Sequence, residues 1–263
     1  MKRILSIQDL SCVGRCSLTV ALPVLSAMGC QCVPMPTALL SSHTGFSAPY
    51  IHSLTEDISP ICHHWQQLGV SFDAISVGYL SDPAQAEAVA QVLEAFPASR
   101  IIDPVLGDHG KLYSGISDAH VQAMKQLCSK AQVVLPNLTE AAHLTGLYDP
   151  DDYRALAAGM LELGAQAVVL TGVSTASDKL GFLAVSRDGS EFLYQADRIP
   201  RQLHGTGDLF AAVFAGAFVQ GAAVPTAAVR AAHFVERVIS ATKEASPFGA
   251  EFETQLPYLW DQN

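Results

Sequence analysis

The residues best suited to chemistry are His204-Gly205-Thr206-Gly207-Asp208, which stand directly before an apolar run over 209–219. Two glycines permit a tight turn and leave backbone N–H groups uncovered. A helix this apolar must be buried, and its first N–H groups have no partner within it. Together with the helix dipole they form a site for an anion, or for negative charge developing in a transition state. Asp208, at the same helix start, suits a general base that takes the proton of an attacking hydroxyl as a phosphoryl group arrives. The helix N-terminus favours its ionised form, which weakens it as a base. That is tolerable when the hydroxyl turns acidic as the bond to phosphorus forms. The same residues also suit an ordinary turn with an aspartate cap. A dinucleotide fingerprint fits less well: the pattern is G-x-G-x-x-F, with Phe210 in the third glycine's place and no strand over 198–204. No G-x-x-x-x-G-K-[ST] loop exists in the chain.

Other polar loops could join such a site: Asp9-Leu10-Ser11, Ser41 to Gly45, Gly78-Tyr79, Asp103 to Tyr113, Asn137 to Glu140, and Thr171-Gly172. Each follows an apolar stretch that reads as a buried strand: 4–8, 30–34, 74–78, 101–102, 133–135 and 167–171. Helical patterns alternate with them. They are 18–28 with Ser17 as N-cap and Pro23 inside, 58–68, 83–96 behind the cap Asp82, 118–130 after Ser117, and 151–163 ended by Gly164. The stretches 180–186 and 191–196 flank Arg187-Asp188-Gly189-Ser190 as a hairpin, and two long apolar helices cover 207–220 and 226–243. This alternation predicts an α/β fold, a mainly parallel central sheet with helices on both faces. In such sheets ligands gather at the carboxyl ends of the strands, where these polar loops lie. No linker, charge block or repeat interrupts the pattern, so a single domain over 1–263 is expected.

Composition narrows the function classes. The chain is 49% hydrophobic and 15% charged, which excludes a disordered or collagen-like protein. With 25 acidic and 15 basic residues the net charge is −10, which argues against nucleic acid or an anionic membrane as partner. No apolar run approaches the roughly 20 residues of a membrane span. Lys2 and Arg3 precede the apolar 18–28 stretch, but Asp9 and Arg15 lie between the two, and 4–7 reads better as a first strand than as part of a signal peptide. The six cysteines form no C-x-x-C pair; Cys30 and Cys32, on a strand, would stand near the upper limit for a disulfide. Reduced thiols and a cytoplasmic location are expected.

Gly205-Thr206-Gly207-Asp208 before Leu209-Phe210-Ala211-Ala212 resembles the signature of the ribokinase-like superfamily of small-molecule kinases. Further motifs stand in that superfamily's order: Leu5-Ser6-Ile7-Gln8, Ser41-Ser42-His43-Thr44-Gly45-Phe46, Gly78-Tyr79-Leu80, Asp103-Pro104-Val105-Leu106-Gly107-Asp108, Lys111-Leu112-Tyr113, Pro136-Asn137-Leu138-Thr139-Glu140 and Val169-Leu170-Thr171-Gly172. The loops are similar to those of pyridoxal kinases, particularly bacterial pyridoxal/pyridoxamine kinase-like members, over residues 2–245. The resemblance implies a ribokinase-like three-layer sandwich and ATP-dependent phosphorylation of the 5′-hydroxymethyl group of a vitamin B6 vitamer, serving pyridoxal 5′-phosphate salvage. It implies Asp208 as catalytic base, with the backbone of Gly205 and Gly207 holding the transferred phosphoryl. It places the heteroaromatic alcohol against Asp9, His43, Thr44, Gly45 and Tyr79. It places the nucleotide against Asp103, Asn137, Glu140, Thr171, Gly172, Thr206 and Tyr113, with Mg²⁺ at Asp103 and Glu140 through waters. A monovalent cation is used by many relatives; here Leu135 replaces a threonine, though its carbonyl could still serve. A homodimer is implied as well.

Position 9 departs from the better-known pattern, in which a serine follows Ile-Gln. A carboxylate there suits a protonated ring nitrogen or an aminomethyl group, and so tilts the expectation toward pyridoxamine or pyridoxine over pyridoxal. The loop 107–115, with three glycines and Lys111, reads as a mobile flap that excludes water over bound nucleotide, with Tyr113 covering the site. Cys12 and Cys16 read as buried small residues. Cys62-His63-His64 does not have the spacing of a metal site. Two alternatives stay open. A hydroxymethylpyrimidine kinase would act on a similar flat ring, and a non-catalytic vitamin or nucleotide carrier could share the fold. Intact Asp208 and both loop glycines argue against the carrier, and the chain lacks the extra residues usual for a sugar-covering lid.

Overall fold

The computed structural model describes residues 1–149, 152–244 and 246–260. The chain runs β1 (Arg3–Ser11), α1 (Leu18–Ala27), β2 (Gln31–Leu40), β3 (Ile51–Ser53), α2 (Thr55–Gln67), β4 (Ala74–Val77), α3 (Gln85–Ala95) and β5 (Ser99–Ile102). A small hairpin follows, β6 (Gly107–Asp108) and β7 (Lys111–Leu112), then α4 (Asp118–Cys128), β8 (Val133–Val134), α5 (Leu138–Thr145) and α6 (Tyr153–Glu162). The last part holds β9 (Ala167–Val173), β10 (Lys179–Ser186), β11 (Glu191–Asp197), α7 (Thr206–Val219), α8 (Val224–Ala241) and a 3-10 helix over Glu253–Leu259.

Nine strands form one sheet in the order β11-β10-β9-β8-β5-β4-β1-β2-β3. The middle is parallel, as the β/α alternation predicts. Both margins are antiparallel: β9-β10-β11 on one side and β2-β3 on the other. β1 pairs with β2 on one flank and β4 on the other, so the chain reverses its direction of travel across the sheet at β1. That reversal opens a crevice at the strand's carboxyl end, where Asp9 stands.

The pleat of each central strand divides its side chains between two cores. Leu5, Ile7, Ile75, Val77, Ile102, Val134, Val168 and Leu170 face a core covered by α2 to α6. Ile4, Ala74, Ile101, Val133 and Val169 face a second core formed with α1, α7 and α8. α7 is apolar nearly all round because it is buried nearly all round. Burial of Leu209 and Phe214, both fully enclosed, contributes about 1.5–3 kcal/mol each. Gly216 lets α1 approach it: a Cβ there would lie 2.5 Å from Met28 Sδ.

Several local details differ from the sequence expectations. α3 starts at Gln85, because Asp82 Oδ1 accepts the Ala84 N–H at 2.8 Å and closes a turn around Pro83 first. α6 is capped by Asp152, whose Oδ1 accepts from Ala155 N at 3.0 Å; the expected start at Asp151 lies outside the described residues. Ser17 occupies the N-cap position of α1 but makes no side-chain cap bond; its φ is 49° and its hydroxyl turns elsewhere. Cys30 precedes β2, and all six cysteines are free. Cys12 is exposed and Cys16 half-buried, against the expectation of two buried residues, because the loop after β1 lies at the crevice rather than in a core.

Candidate active site

Gly205 is the N-cap of α7 at φ 83°. A side chain is excluded there twice over: by the left-handed backbone, and because a Cβ would fall on the Arg15 carbonyl oxygen. No side chain caps the helix, and Thr206 Oγ1 turns back to the Leu203 carbonyl at 3.2 Å. Around the Cβ position of Gly207 there is open space to 4 Å. The amino end of a buried helix therefore faces an opening, the arrangement that holds anions. Asp208, in the first turn, keeps a partial solvent face. Burial of its carboxyl, followed by the charge of Asp9, pushes its pKa up to about 7, against donation from the Ser17 N–H. The helix end was expected to weaken this base by favouring the ionised form; here desolvation and a second carboxylate outweigh it.

Asp9 is 3% exposed at the end of β1. Ser11 Oγ donates to its Oδ2 at 2.8 Å, and the Ser17 hydroxyl also bonds to it. Burial raises its pKa. The phenol of Tyr79, just after β4, is pushed up by burial and then by the charge of Asp9. Thr37 Oγ1 holds the Tyr79 carbonyl at 2.9 Å. Asp9, Tyr79 and Asp208 therefore share one crevice.

His43 occupies a different role from the one its resemblance implies. Its Nδ1 accepts the Gly45 N–H at 3.0 Å and its Nε2 donates to the Pro247 carbonyl at 2.7 Å. Neither ring nitrogen is left for a ligand. The ring packs on Phe46 and His204, each 4.8 Å away between centroids, and lies so close to Gly14 that no Cβ fits there. Thr44 and Gly45 are exposed on the same loop. The segment 246–250 straps this corner. The Phe248 carbonyl accepts from Arg15 N at 2.9 Å, and Ala250 N donates to the His204 carbonyl at 3.0 Å. These are backbone bonds between distant segments, and they leave no mark in local sequence.

The nucleotide side is built around the start of α5. Asn137 Oδ1 accepts the Glu140 N–H at 2.9 Å, and Glu140 Oε2 accepts the Asn137 N–H at 2.8 Å, a reciprocal capping box. The same residues pin the root of the expected flap. Asn137 Nδ2 donates to the Gly107 carbonyl at 2.8 Å, Leu106 N to Glu140 Oε1 at 3.2 Å, and Gly110 N to Thr139 Oγ1 at 2.8 Å. The flap is the β6-β7 hairpin, with positive φ at His109 (51°) and Gly110 (77°), as a two-residue turn between twisted strands demands. Tyr113 follows it, 40% exposed. Thr171 N and Oγ1 both bond to the Pro136 carbonyl, at 2.8 and 3.3 Å, and Gly172 is exposed beside it at φ 80°.

Burial drives the Asp103 pKa well above its usual value, with the charges of Glu140 and Asp208 adding to it, and burial pushes Glu140 up to about 8. Carboxylates that repel one another in one crevice suit a bound cation. Among the described residues no three acidic, histidine or cysteine groups converge as a complete metal cage. Both Glu140 oxygens already accept backbone N–H groups. This donor set fits Mg²⁺ held by one or two carboxylates plus waters and phosphate oxygens, rather than by protein alone. Away from the crevice, His63 Nε2 lies 2.9 Å from Gln67 Nε2 within α2.

The chain is similar to known proteins over nearly its whole length. The sequence profile of the phosphomethylpyrimidine kinase family matches residues 21–253. A pyridoxine/pyridoxal/pyridoxamine kinase of Bordetella pertussis is 31% identical over 262 residues, covering 92% of this chain and 90% of its own. The crystal structure of pyridoxal kinase from Lactobacillus plantarum superposes with a TM-score of 0.91 at 33% identity, covering 100% of this chain and 98% of its own. A Bacteroides thetaiotaomicron protein described as a phosphomethylpyrimidine kinase, crystallised with pyridoxal, gives 0.92 at 33% identity, covering 99% and 96%.

Proposed function

Since the chain belongs to the phosphomethylpyrimidine kinase family and is a small-molecule kinase of the pyridoxal kinase type, we propose that it phosphorylates the 5′-hydroxymethyl group of a vitamin B6 vitamer with ATP. The observation that carries the chemistry is the open, uncapped start of α7, with Asp208 in its first turn. The names of its relatives support the substrate class.

In this reading the ring lies in the crevice between Asp9 and Tyr79, with its hydroxymethyl at Asp208. A carboxylate with a pKa near 7 is matched to taking a proton at neutral pH. The N–H groups at the start of α7 face the transferred phosphoryl and offset its charge in the transition state. Asp103 would hold Mg²⁺, with Glu140 acting through water, and the ion would neutralise phosphate charge when bound. Asn137, Thr139 and Glu140 position the flap root, and Tyr113 covers the site and limits water. His43 acts by fixing the loop that carries Thr44 and Gly45. The homodimer and the cytoplasmic salvage role belong to the same proposal.

A second reading, hydroxymethylpyrimidine kinase, is favoured by the description of the matching family profile. A steady-state assay with Mg·ATP and, separately, pyridoxal, pyridoxine, pyridoxamine and hydroxymethylpyrimidine tests both, with Asp208→Ala as control. Turnover of a B6 vitamer that is lost in the variant supports the proposal. Turnover of the pyrimidine alone replaces it with the second reading.

A further inference from the structure

Asp9 is a buried carboxylate without a counter-ion. The titratable groups facing it are Asp208 from α7, Tyr79 after β4, His43 after β2 and Cys16 before α1. None supplies a lasting positive charge. Asp208 is itself an acid, Tyr79 is a phenol, and burial pushes the Cys16 thiol up to about 12. His43 has the smallest effect on Asp9 and turns both ring nitrogens to the backbone, Nδ1 to the Gly45 N–H and Nε2 to the Pro247 carbonyl. Among the described residues no lysine or arginine forms an ion pair with Asp9. Its partners are two hydroxyls, from Ser11 and Ser17, and its own backbone N–H.

Ser17 is held at some cost. It is 5% exposed, and its φ of 49° is unusual for a residue with a side chain. Its hydroxyl bonds to Asp9 and its N–H bonds to Asp208. The two carboxyls therefore lie on either side of one residue. A ring whose hydroxymethyl rests on Asp208 brings its neighbouring substituent toward Asp9.

We propose that Asp9, oriented by Ser11 and Ser17, reads positive charge on the substrate and makes this enzyme selective for a heteroaromatic alcohol with an aminomethyl group beside the reacting hydroxymethyl. A buried charge paired only with neutral donors is costly, and a ligand ammonium relieves that cost as no neutral substituent can. Among the B6 vitamers this description fits pyridoxamine; pyridoxal carries a neutral aldehyde at the same place. The inference rests on the B6 reading above.

The test is kcat/KM at pH 7 for pyridoxamine, pyridoxine and pyridoxal, in the wild-type protein, Asp9→Asn and Asp9→Ser. Asparagine keeps the volume and removes the charge; serine keeps a hydroxyl and guards against a misfolded amide variant. Wild type is expected to favour pyridoxamine over pyridoxal by about tenfold or more, the scale of one charge-assisted hydrogen bond. Both variants should lower that ratio by a similar factor. Equal use of the three vitamers by wild type overturns the inference while leaving the kinase reading intact. So does a ratio that survives in both variants. A wild-type protein that turns over none of the three overturns the B6 reading itself, and this inference with it.

Discussion

His43 Nε2 lies 2.7 Å from the carbonyl oxygen of Pro247, joining segments 204 residues apart. With Nδ1 on the Gly45 N–H, the ring clasps the substrate-side loop to the strap after α8. His43→Ala removes two hydrogen bonds made by a buried ring and leaves a gap beside Gly14. It should cost about 1–3 kcal/mol, or roughly 2–4 °C of Tm per kcal/mol in a chain of this size. KM for the alcohol should rise while nucleotide affinity holds. Thermal melts and separate titrations of the two substrates check both statements.

Asp208→Ala should lower turnover by at least ~10²-fold, the usual scale for a positioned base, and leave nucleotide binding near normal. In the wild-type protein kcat/KM should fall as pH drops below about 7, because the protonated carboxyl cannot accept the hydroxyl proton. A profile that stays flat down to pH 5 would remove Asp208 from the proton transfer.

The same raised pKa affects stability. Unfolded, this carboxyl ionises near its ordinary 3.8; folded, it stays protonated to about 7. Between those values the unfolded chain holds fewer protons, so rising pH favours unfolding. The contribution is intact below pH 4 and lost by about pH 7. Asp208→Asn should therefore melt progressively above wild type as pH rises from 4 to 7, by several degrees, and the gap should then level off. Calorimetry without ligands at three pH values measures it.

Gly205→Ala is expected to be among the most damaging single-methyl changes in the chain. The added carbon meets the Arg15 carbonyl, a backbone atom that cannot swing away, and the φ of 83° adds its own strain. A loss of roughly 2–4 kcal/mol is expected, within the range for backbone strain combined with overpacking. Gly207→Ala has open space and should be milder for stability. Chemical denaturation of both variants separates the two glycines.

The sheet and the buried start of α7 were legible in sequence because both are written locally. Near-continuous apolar strands and the apolar run behind Gly205-Thr206-Gly207-Asp208 need no distant partner to be recognised. The strand β3 escaped notice because its three residues are all exposed and carry no alternation. The β6-β7 hairpin has two residues per strand, too few for any period. The resemblance places His43 against the substrate, and a lone polar side chain in a loop cannot reveal that the Pro247 carbonyl will accept its N–H. The rise in the Asp208 pKa was missed for a similar reason: the helix end lies next to it in sequence, whereas Asp9 comes from 199 positions earlier in the chain.

The bonds from Asn137, Thr139 and Glu140 to the hairpin all reach its root or the backbone of its turn, and the Cβ position of Gly110 faces open space. The φ of Gly110 is 77°, a backbone that strains any side chain, so exposed Lys111 beside it is the natural attachment point for a reporter. A small fluorophore on a cysteine placed there, in a background with exposed Cys12 replaced, would sense nucleotide arrival without touching Asp9, Tyr79 or Asp208. The geometry that steadies the start of α5 thus also offers an optical handle on the order in which the two substrates bind.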